Sequence, residues 1–281
     1  MALDEHRRRL QAISEAMAPG WERRRARIDA TLEPVRRWMV RELAPARGET
    51  VLELAAASGD TGLEAAAIVG GEGRLISTDL TPAMVEIGRR RAAEVGARNV
   101  EHRAMDAERI DLPDGSVDGV LCRFDYMLMA DPAAALAETR RVLRPGGRVA
   151  LAVWGPPERN PWVATAGRVL VEGGHVPPPS PGDPSPFGLA DAGRTAALLT
   201  GAGLASVRVE EVPVTAAFRD ADDYLSLTED TAGPLGIALR GLPAHARDDV
   251  RRRLEDALAP FAADGALALP GVALCAVASA P

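Results

Sequence analysis

The chain has no lysine; every one of its 33 Lys/Arg-type basic positions is an arginine. This excludes a Schiff-base lysine, a phosphate-loop lysine and the Tyr-x-x-x-Lys pair of short-chain dehydrogenases. Cysteine is scarce as well. Cys122 and Cys275 both lie in apolar runs, which reads as two buried free thiols in a reducing compartment rather than a disulfide framework. The first residues, MALDEHRRRLQ, hold no apolar run of the kind a signal peptide needs. The most apolar tail, Ala266 to Ala280, is broken by Pro270 and Gly271 and is too short to cross a bilayer. A cytoplasmic location is therefore expected, with no membrane span. An extended basic surface is missing too: the net charge is −7, and the arginine clusters at 7–9, 23–25, 89–91 and 251–253 mostly lie near acidic residues. They read as solvated helix faces, and no nucleic-acid partner is expected.

What is present is ordinary for a globular protein: 281 residues, 47% apolar and 26% charged, enough for one large core with an appendage. Residues 4–44 read as helices, with a break at Gly20. After them strand and helix patterns alternate. Strands are expected at 51–55, 74–79, 99–106, 116–124 and 148–154, and helices at 61–70 (Thr61 and Glu64 as a capping box), 82–96 and 132–143. Such alternation predicts an α/β fold with a doubly wound, mostly parallel sheet. A Pro/Gly-rich insertion with one short helix follows, then a helix at 193–203, a strand at 205–218, a mostly helical insertion at about 219–268, and a last strand at 272–279. The implied organisation is an N-terminal helical cap (1–46), a core (47–155), the Pro/Gly-rich insertion (156–192) and a C-terminal part of the core (193–281).

In parallel sheets, ligands bind beyond the carboxyl ends of the strands, where the strand order reverses. Here those ends are Glu53 to Gly59, Asp79 to Leu80, Asp106 to Ala107, and Arg123 to Tyr126, and three of the four carry an acid. Asp79 lies about 20 residues past the first turn, the spacing at which a carboxylate can accept from two ribose hydroxyls. Asp106 is placed to accept from the exocyclic amine of a purine. These features suit adenosine cofactors generally and do not choose among them.

The order VLELAAASG, STDLTPAMVEIGRRRA, AMDAERIDLPDGSVDGVLC, ALAETRRVLRPGGRVALAVW resembles the class I S-adenosylmethionine-dependent methyltransferases, in particular the small-molecule branch similar to quinone-biosynthesis methyltransferases. The resemblance is close over residues 48–155. It implies a seven-stranded Rossmann-like methyltransferase fold whose N-terminal helices and helical insertions form a lid, with S-adenosylmethionine as cofactor and S-adenosylhomocysteine as product. The first motif of the family, E-L-G-x-G-x-G, falls on Glu53 to Gly59. The resemblance assigns Ala55, Ala57, Ser58 and Gly59 to the loop facing the methionine portion and Glu53 to its amino group. It assigns Asp79 to the ribose, Leu80 and Met84 to the adenine surroundings, Asp106 and Ala107 to the adenine edge, and Arg123 and Phe124 to the methyl side.

The departure is at Ala55 and Ala57, where the family has glycine. Alanine is tolerable there if φ is negative, and a cofactor without pyrophosphate has less need of an anion nest. The expected chemistry is metal-independent methyl transfer to O, C or N of a small, apolar or aromatic acceptor. Transfer from a sulfonium requires mainly orientation, with a base where the acceptor begins protonated. Candidate bases are Asp125, Tyr126 and His175, followed by Asp131 and His102. No metal is implied, since CRFDYMLMADP lacks a clustered ligand set. Candidate pocket residues are Trp21, Trp154, Asn160, Trp162 and Tyr224, any of which could equally pack the insertions onto the sheet. Two other readings are a NAD(P)-dependent oxidoreductase, disfavoured by the missing glycines and lysine, and a non-catalytic cofactor-binding or interaction protein. A monomer or homodimer is expected.

Overall fold

The computed structural model describes residues 2–180 and 184–281, and side chains from residue 5 onward. Part of the Pro/Gly-rich insertion, residues 181–183, lies outside the described residues. The chain opens with α1 (Ala2–Leu43), one helix throughout despite Pro19 and Pro34 in its interior. The expected break at Gly20 is absent. That glycine serves packing: a Cβ on it would lie 2.2 Å from the Asp230 carbonyl oxygen, so it admits close approach of a later helix. Burial of Ile28, Leu32, Val35, Trp38, Met39 and Leu43 holds the helix on the sheet through its second proline.

The alternating region then runs β1 (Thr50–Leu54), α2 (Asp60–Val69), β2 (Arg74–Asp79), α3 (Pro82–Glu94), β3 (Val100–Ala104), β4 (Val117–Arg123), α4 (Pro132–Val142) and β5 (Leu143–Trp154). The capping box expected at Thr61 and Glu64 does not form. Helix α2 begins one residue earlier, Gly59 is its N-cap in a left-handed conformation, and Glu64 pairs with Arg36 of α1. Thr81 caps α3, with Pro82 at its first turn, and Asp131 caps α4 by accepting from the Ala134 N–H at 2.9 Å. Strand β5 begins five residues before its expected start, and the β4–β5 register shifts between Val117 and Gly119.

The remainder comprises α5 (Pro161–Glu172), α6 (Ala192–Gly201), β6 (Ala205–Phe218), α7 (Ala221–Thr231), α8 (Pro234–Gly241), α9 (Ala244–Leu258), β7 (Ala262–Ala263) and β8 (Ala266–Ser279). The sheet order is β3-β2-β1-β4-β5-β8-β6, with the two-residue β7 beside β8. Pairs from β3 through β5 are parallel, and β8 is antiparallel to both of its long neighbours. This is a doubly wound, mostly parallel sheet, and its strand order reverses between β1 and β4.

The main apolar cluster surrounds this sheet, and the central strands are buried without alternation, as strands covered on both faces must be. A second cluster gathers α5, α7, α8 and α9 against the far ends of β6 and β8. Helix α1 packs on β5 and β6 and is pinned to α7: Arg27 forms a two-pronged pair with Asp223, and Arg23 and Arg24 both reach Asp230. No helix among the described residues is long and apolar enough to cross a membrane.

Candidate active site

The loop after β1 is held in a sparsely populated backbone conformation. Ala55 has φ 50°, Ala57 φ 48° and Gly59 φ 75°. The condition that these alanines adopt negative φ is not met. Both stand in the left-handed region, where each costs about 1–2 kcal/mol relative to glycine. The loop thus keeps the backbone path that glycine would take and adds two methyl groups. Cross-links fix it: the Ala56 N–H donates to the Thr78 carbonyl at 2.9 Å, the Gly59 N–H to the Ala56 carbonyl at 2.7 Å, and the Ala57 N–H to Asp79 Oδ2 at 3.0 Å.

Asp79 closes β2 and is buried, and its other oxygen accepts from the Thr81 N–H at 3.2 Å. Burial raises its carboxyl above the usual range, opposed by these N–H donors. Glu53, at the end of β1, accepts from the Gly62 N–H at 2.7 Å, and burial pushes it up to about 7. Met84 is buried in a small cluster with Ala18 and Ile87, with Trp21 and Ala57 packed against it. Helix α1 therefore lies over this loop, and Leu80 stands half-buried beside it.

Asp106 Oδ1 accepts from the Glu108 N–H at 2.9 Å, and its Oδ2 lies 3.1 Å from Arg7 Nε. Arg7 also pairs with Glu108, whose other oxygen accepts from the Ala130 N–H at 2.9 Å. Arg7 belongs to a cluster that reads as a solvated helix face, and nothing in its sequence context marks it otherwise. Glu108 stands two residues past Asp106, and the resemblance gives it no role. Together they tie the first turns of α1 to the position that the resemblance gives to the adenine edge. Ala107 is half-buried against the main core.

At the end of β4, Phe124 has φ 63° and stacks on Trp154, with ring centroids 4.1 Å apart; Trp162 meets Trp154 edge-on at 5.4 Å. Asp125 follows. Burial, and then the charges of Asp79, Glu108 and Asp106, push its carboxyl up to about 7. The structure thus brings Asp79, Glu108 and Asp106 within electrostatic reach of Asp125. Arg123 is half-buried, and its Nη1 is sealed from solvent without a hydrogen-bond partner.

Several candidates do not join this group. Tyr126 is fully buried and its hydroxyl bonds Thr139 Oγ1 of α4 at 2.6 Å, so it is a core residue rather than a base. His175 follows α5, where its neighbour in charge is Asp249 of α9, in the second packing region. Asp131 is committed to capping α4, and His102 packs against Gly88 of α3. Asn160 is a clamp, not a pocket residue: its Nδ2 donates to the Pro156 and Val272 carbonyls and its Oδ1 accepts from the Val272 N–H. Tyr224 is likewise consumed, accepting from the Ala166 N–H and donating to the Trp162 carbonyl. Trp38 of α1 donates its ring N–H to Glu210 of β6 at 3.0 Å. A cavity of about 780 Å³ runs along the flank of α2, lined by Asp29 and Arg36 of α1 and Arg91 of α3.

Residues 51–147 match a family described as a methyltransferase domain. A demethylmenaquinone methyltransferase from Deinococcus radiodurans is 39% identical over 85 residues, 30% of this chain and 34% of that protein. A ubiquinone/menaquinone biosynthesis C-methyltransferase from Coxiella burnetii is 32% identical over 93 residues, 33% of this chain and 37% of that protein. The chain thus spans about a third of the length of these two relatives. Among solved structures, the YcgJ protein from Bacillus subtilis superposes with a TM-score of 0.58 at 20% identity, covering 87% of this chain and 97% of that one, which establishes a shared fold. Residues 51–147 thus carry a methyltransferase domain, on a fold shared with the solved protein.

The residues present fit the S-adenosylmethionine that the resemblance implies. The loop keeps the glycine-type backbone path, Asp79 is buried at the end of β2 to which the resemblance assigns the ribose, and an acid and a base, Glu53 and Arg123, stand at the ends of β1 and β4.

Proposed function

We propose that the protein is a metal-independent S-adenosylmethionine-dependent methyltransferase acting on a small, apolar or aromatic acceptor. The observation that carries this reading is the left-handed Ala55–Ala57–Gly59 loop locked onto the buried Asp79 carboxylate. Asp79 would hold the ribose hydroxyls, Glu53 the amino group, and Met84 and Leu80 the adenine surroundings. When bound, the sulfonium supplies an activated methyl group, so the protein's task is alignment and exclusion of water.

The acceptor would lie against Phe124, Trp154 and Trp162, a stacked and edge-on aromatic set at the ends of β4 and β5 and the start of α5. Such a wall favours a planar or prenyl-like apolar molecule. The names of the two quinone-pathway relatives support a quinol-like ring as the first acceptor to try. Asp125, whose carboxyl is pushed up to about 7, would take the proton that an O–H, N–H or ring C–H acceptor must lose.

The reading is tested by calorimetric titration with S-adenosylhomocysteine, followed by methyl transfer from labelled S-adenosylmethionine to a panel of quinols and phenols. Micromolar binding and a labelled product support it. Binding without transfer to any acceptor would favour a cofactor-binding protein that is not an enzyme.

A further inference from the structure

Of the three aromatic residues at the strand ends, Trp162 alone comes from outside the sheet. It stands in the first turn of α5 and packs against both apolar clusters, so its angle to Trp154 depends on how α5 begins. Asn160, fully buried, fixes that beginning to β8: its Nδ2 donates to the Val272 carbonyl at 3.1 Å and its Oδ1 accepts from the Val272 N–H at 2.9 Å. The Asn160 carbonyl then accepts from the Val163 and Ala164 N–H groups at 3.0 and 2.9 Å.

The next turn is held from another helix. The Tyr224 hydroxyl of α7 accepts from the Ala166 N–H at 3.0 Å and donates to the Trp162 carbonyl at 3.0 Å. Those two groups are the i+4 and i members of one turn, the pair that an α-helical hydrogen bond joins. A side chain inserted into this ladder bends the helix locally. Burial pushes the hydroxyl up to about 12, so it keeps its proton and stays a donor. The Tyr224 ring is itself fixed: it meets Phe218 edge-on at 5.2 Å, and the Arg27 guanidinium of α1 lies 4.6 Å over Phe218 while also bonding Asp223. Packing alone does not call for the hydroxyl. A phenylalanine would fill the same space, and the Trp162 carbonyl and Ala166 N–H would satisfy each other. The oxygen therefore changes the shape of the turn that carries Trp162.

We propose that Tyr224 is a positioning residue for acceptor selection, its hydroxyl setting the first turn of α5 and with it the edge-on seat of Trp162 against Trp154. This inference rests on the reading that the acceptor lies against Phe124, Trp154 and Trp162. It goes beyond that reading because it gives control of the wall to a residue that does not line it. An aromatic edge or face contact is worth about two- to tenfold in affinity, which is the scale on which a displaced Trp162 acts.

The test is calorimetric titration of the full chain, saturated with S-adenosylhomocysteine, with 2-naphthol, a planar two-ring phenol. Tyr224→Phe should weaken 2-naphthol by about two- to tenfold, while its melting temperature and its affinity for S-adenosylhomocysteine stay those of wild type. Trp162→Ala should weaken 2-naphthol as well. Adding Tyr224→Phe to that variant should cost nothing further, because the hydroxyl acts through the ring that has been removed. A merely structural role would not produce this non-additivity. Unchanged 2-naphthol binding in Tyr224→Phe, an additive loss in the double variant, or loss of both ligands together with a lower melting temperature each overturns the assignment. If the wild-type complex takes up no 2-naphthol, the acceptor wall is misplaced and this inference falls with it. If wild type binds no S-adenosylhomocysteine, the methyltransferase reading itself fails, and this inference with it.

Discussion

Ala55 and Ala57 show how a single methyl group changes the energetics of a loop without changing its course. Both stand at φ near +50°, and the loop is held there by Thr78, Asp79 and the start of α2. Glycine would relieve the left-handed strain but release more chain entropy on unfolding, so the net effect of either substitution is modest. Ala55→Gly and Ala57→Gly should each stabilise the protein by about 0.5–1 kcal/mol in chemical denaturation. A loss of stability would mean that the alanine methyl groups make packing contacts worth more than the strain. At Asp79 the expected effect is functional: Asp79→Ala should abolish S-adenosylhomocysteine binding, whereas His175→Ala, beside α9, should leave it intact. Equal loss in calorimetry from both variants would displace the ribose site from β2.

Among the elements, α1 is the one whose role depends on more than its own pattern. Its second half is an amphipathic helix on β5 and β6, readable from the spacing of Ile28, Leu32, Val35 and Met39. Its first half reaches across the strand ends, where Arg7 pairs with Asp106 and Glu108, and Ala18 and Trp21 pack beside Met84. An adenine edge bound at Asp106 must compete with Arg7 or be shared with it. Arg7→Gln should therefore accelerate S-adenosylhomocysteine association in stopped-flow measurements, and the difference from wild type should shrink as salt rises, because salt weakens this partly exposed pair. Unchanged association at low salt would mean that α1 does not gate access. The capping box expected on α2 failed for a related reason: Arg36 of α1 draws Glu64 away, and the left-handed Gly59 starts the helix without a side-chain cap.

For the whole molecule, the charge arrangement sets opposing pH dependences. Arg27, bonded to Asp223 between α1 and α7, holds that carboxyl down at about 2 from an unfolded value of 3.8. Its stabilising contribution is complete above pH 4 and disappears as pH falls toward 2. Asp125 and Glu53 act in the opposite direction. Burial raises both to about 7 from 3.8 and 4.5, so the folded protein binds protons that the unfolded chain has released. Stability conferred by their protonation is present below pH 4 and is lost as pH rises to 7. Melting temperature without ligand should therefore peak between about pH 4 and 5 and fall on both sides. Asp125→Asn should flatten the limb between pH 5 and 7 while leaving the acid limb in place. An unchanged slope would show that Asp125 titrates normally.

The sequence by itself determined the alternation of strands and helices, the doubly wound sheet, and the placement of Glu53, Asp79, Asp106 and Asp125 at strand ends. These follow from local periodicity and from spacing along a parallel strand, which neighbours in the chain suffice to set. Only the tertiary structure decided that α1 is unbroken at Gly20, because the reason is the Asp230 carbonyl more than 200 residues away. It also decided that Tyr126, Asn160 and Tyr224 spend their polar groups on Thr139, Val272, Ala166 and Trp162. Whether a polar side chain is free to act depends on which partners the folded chain brings to it, and that is a property of packing that no local pattern encodes.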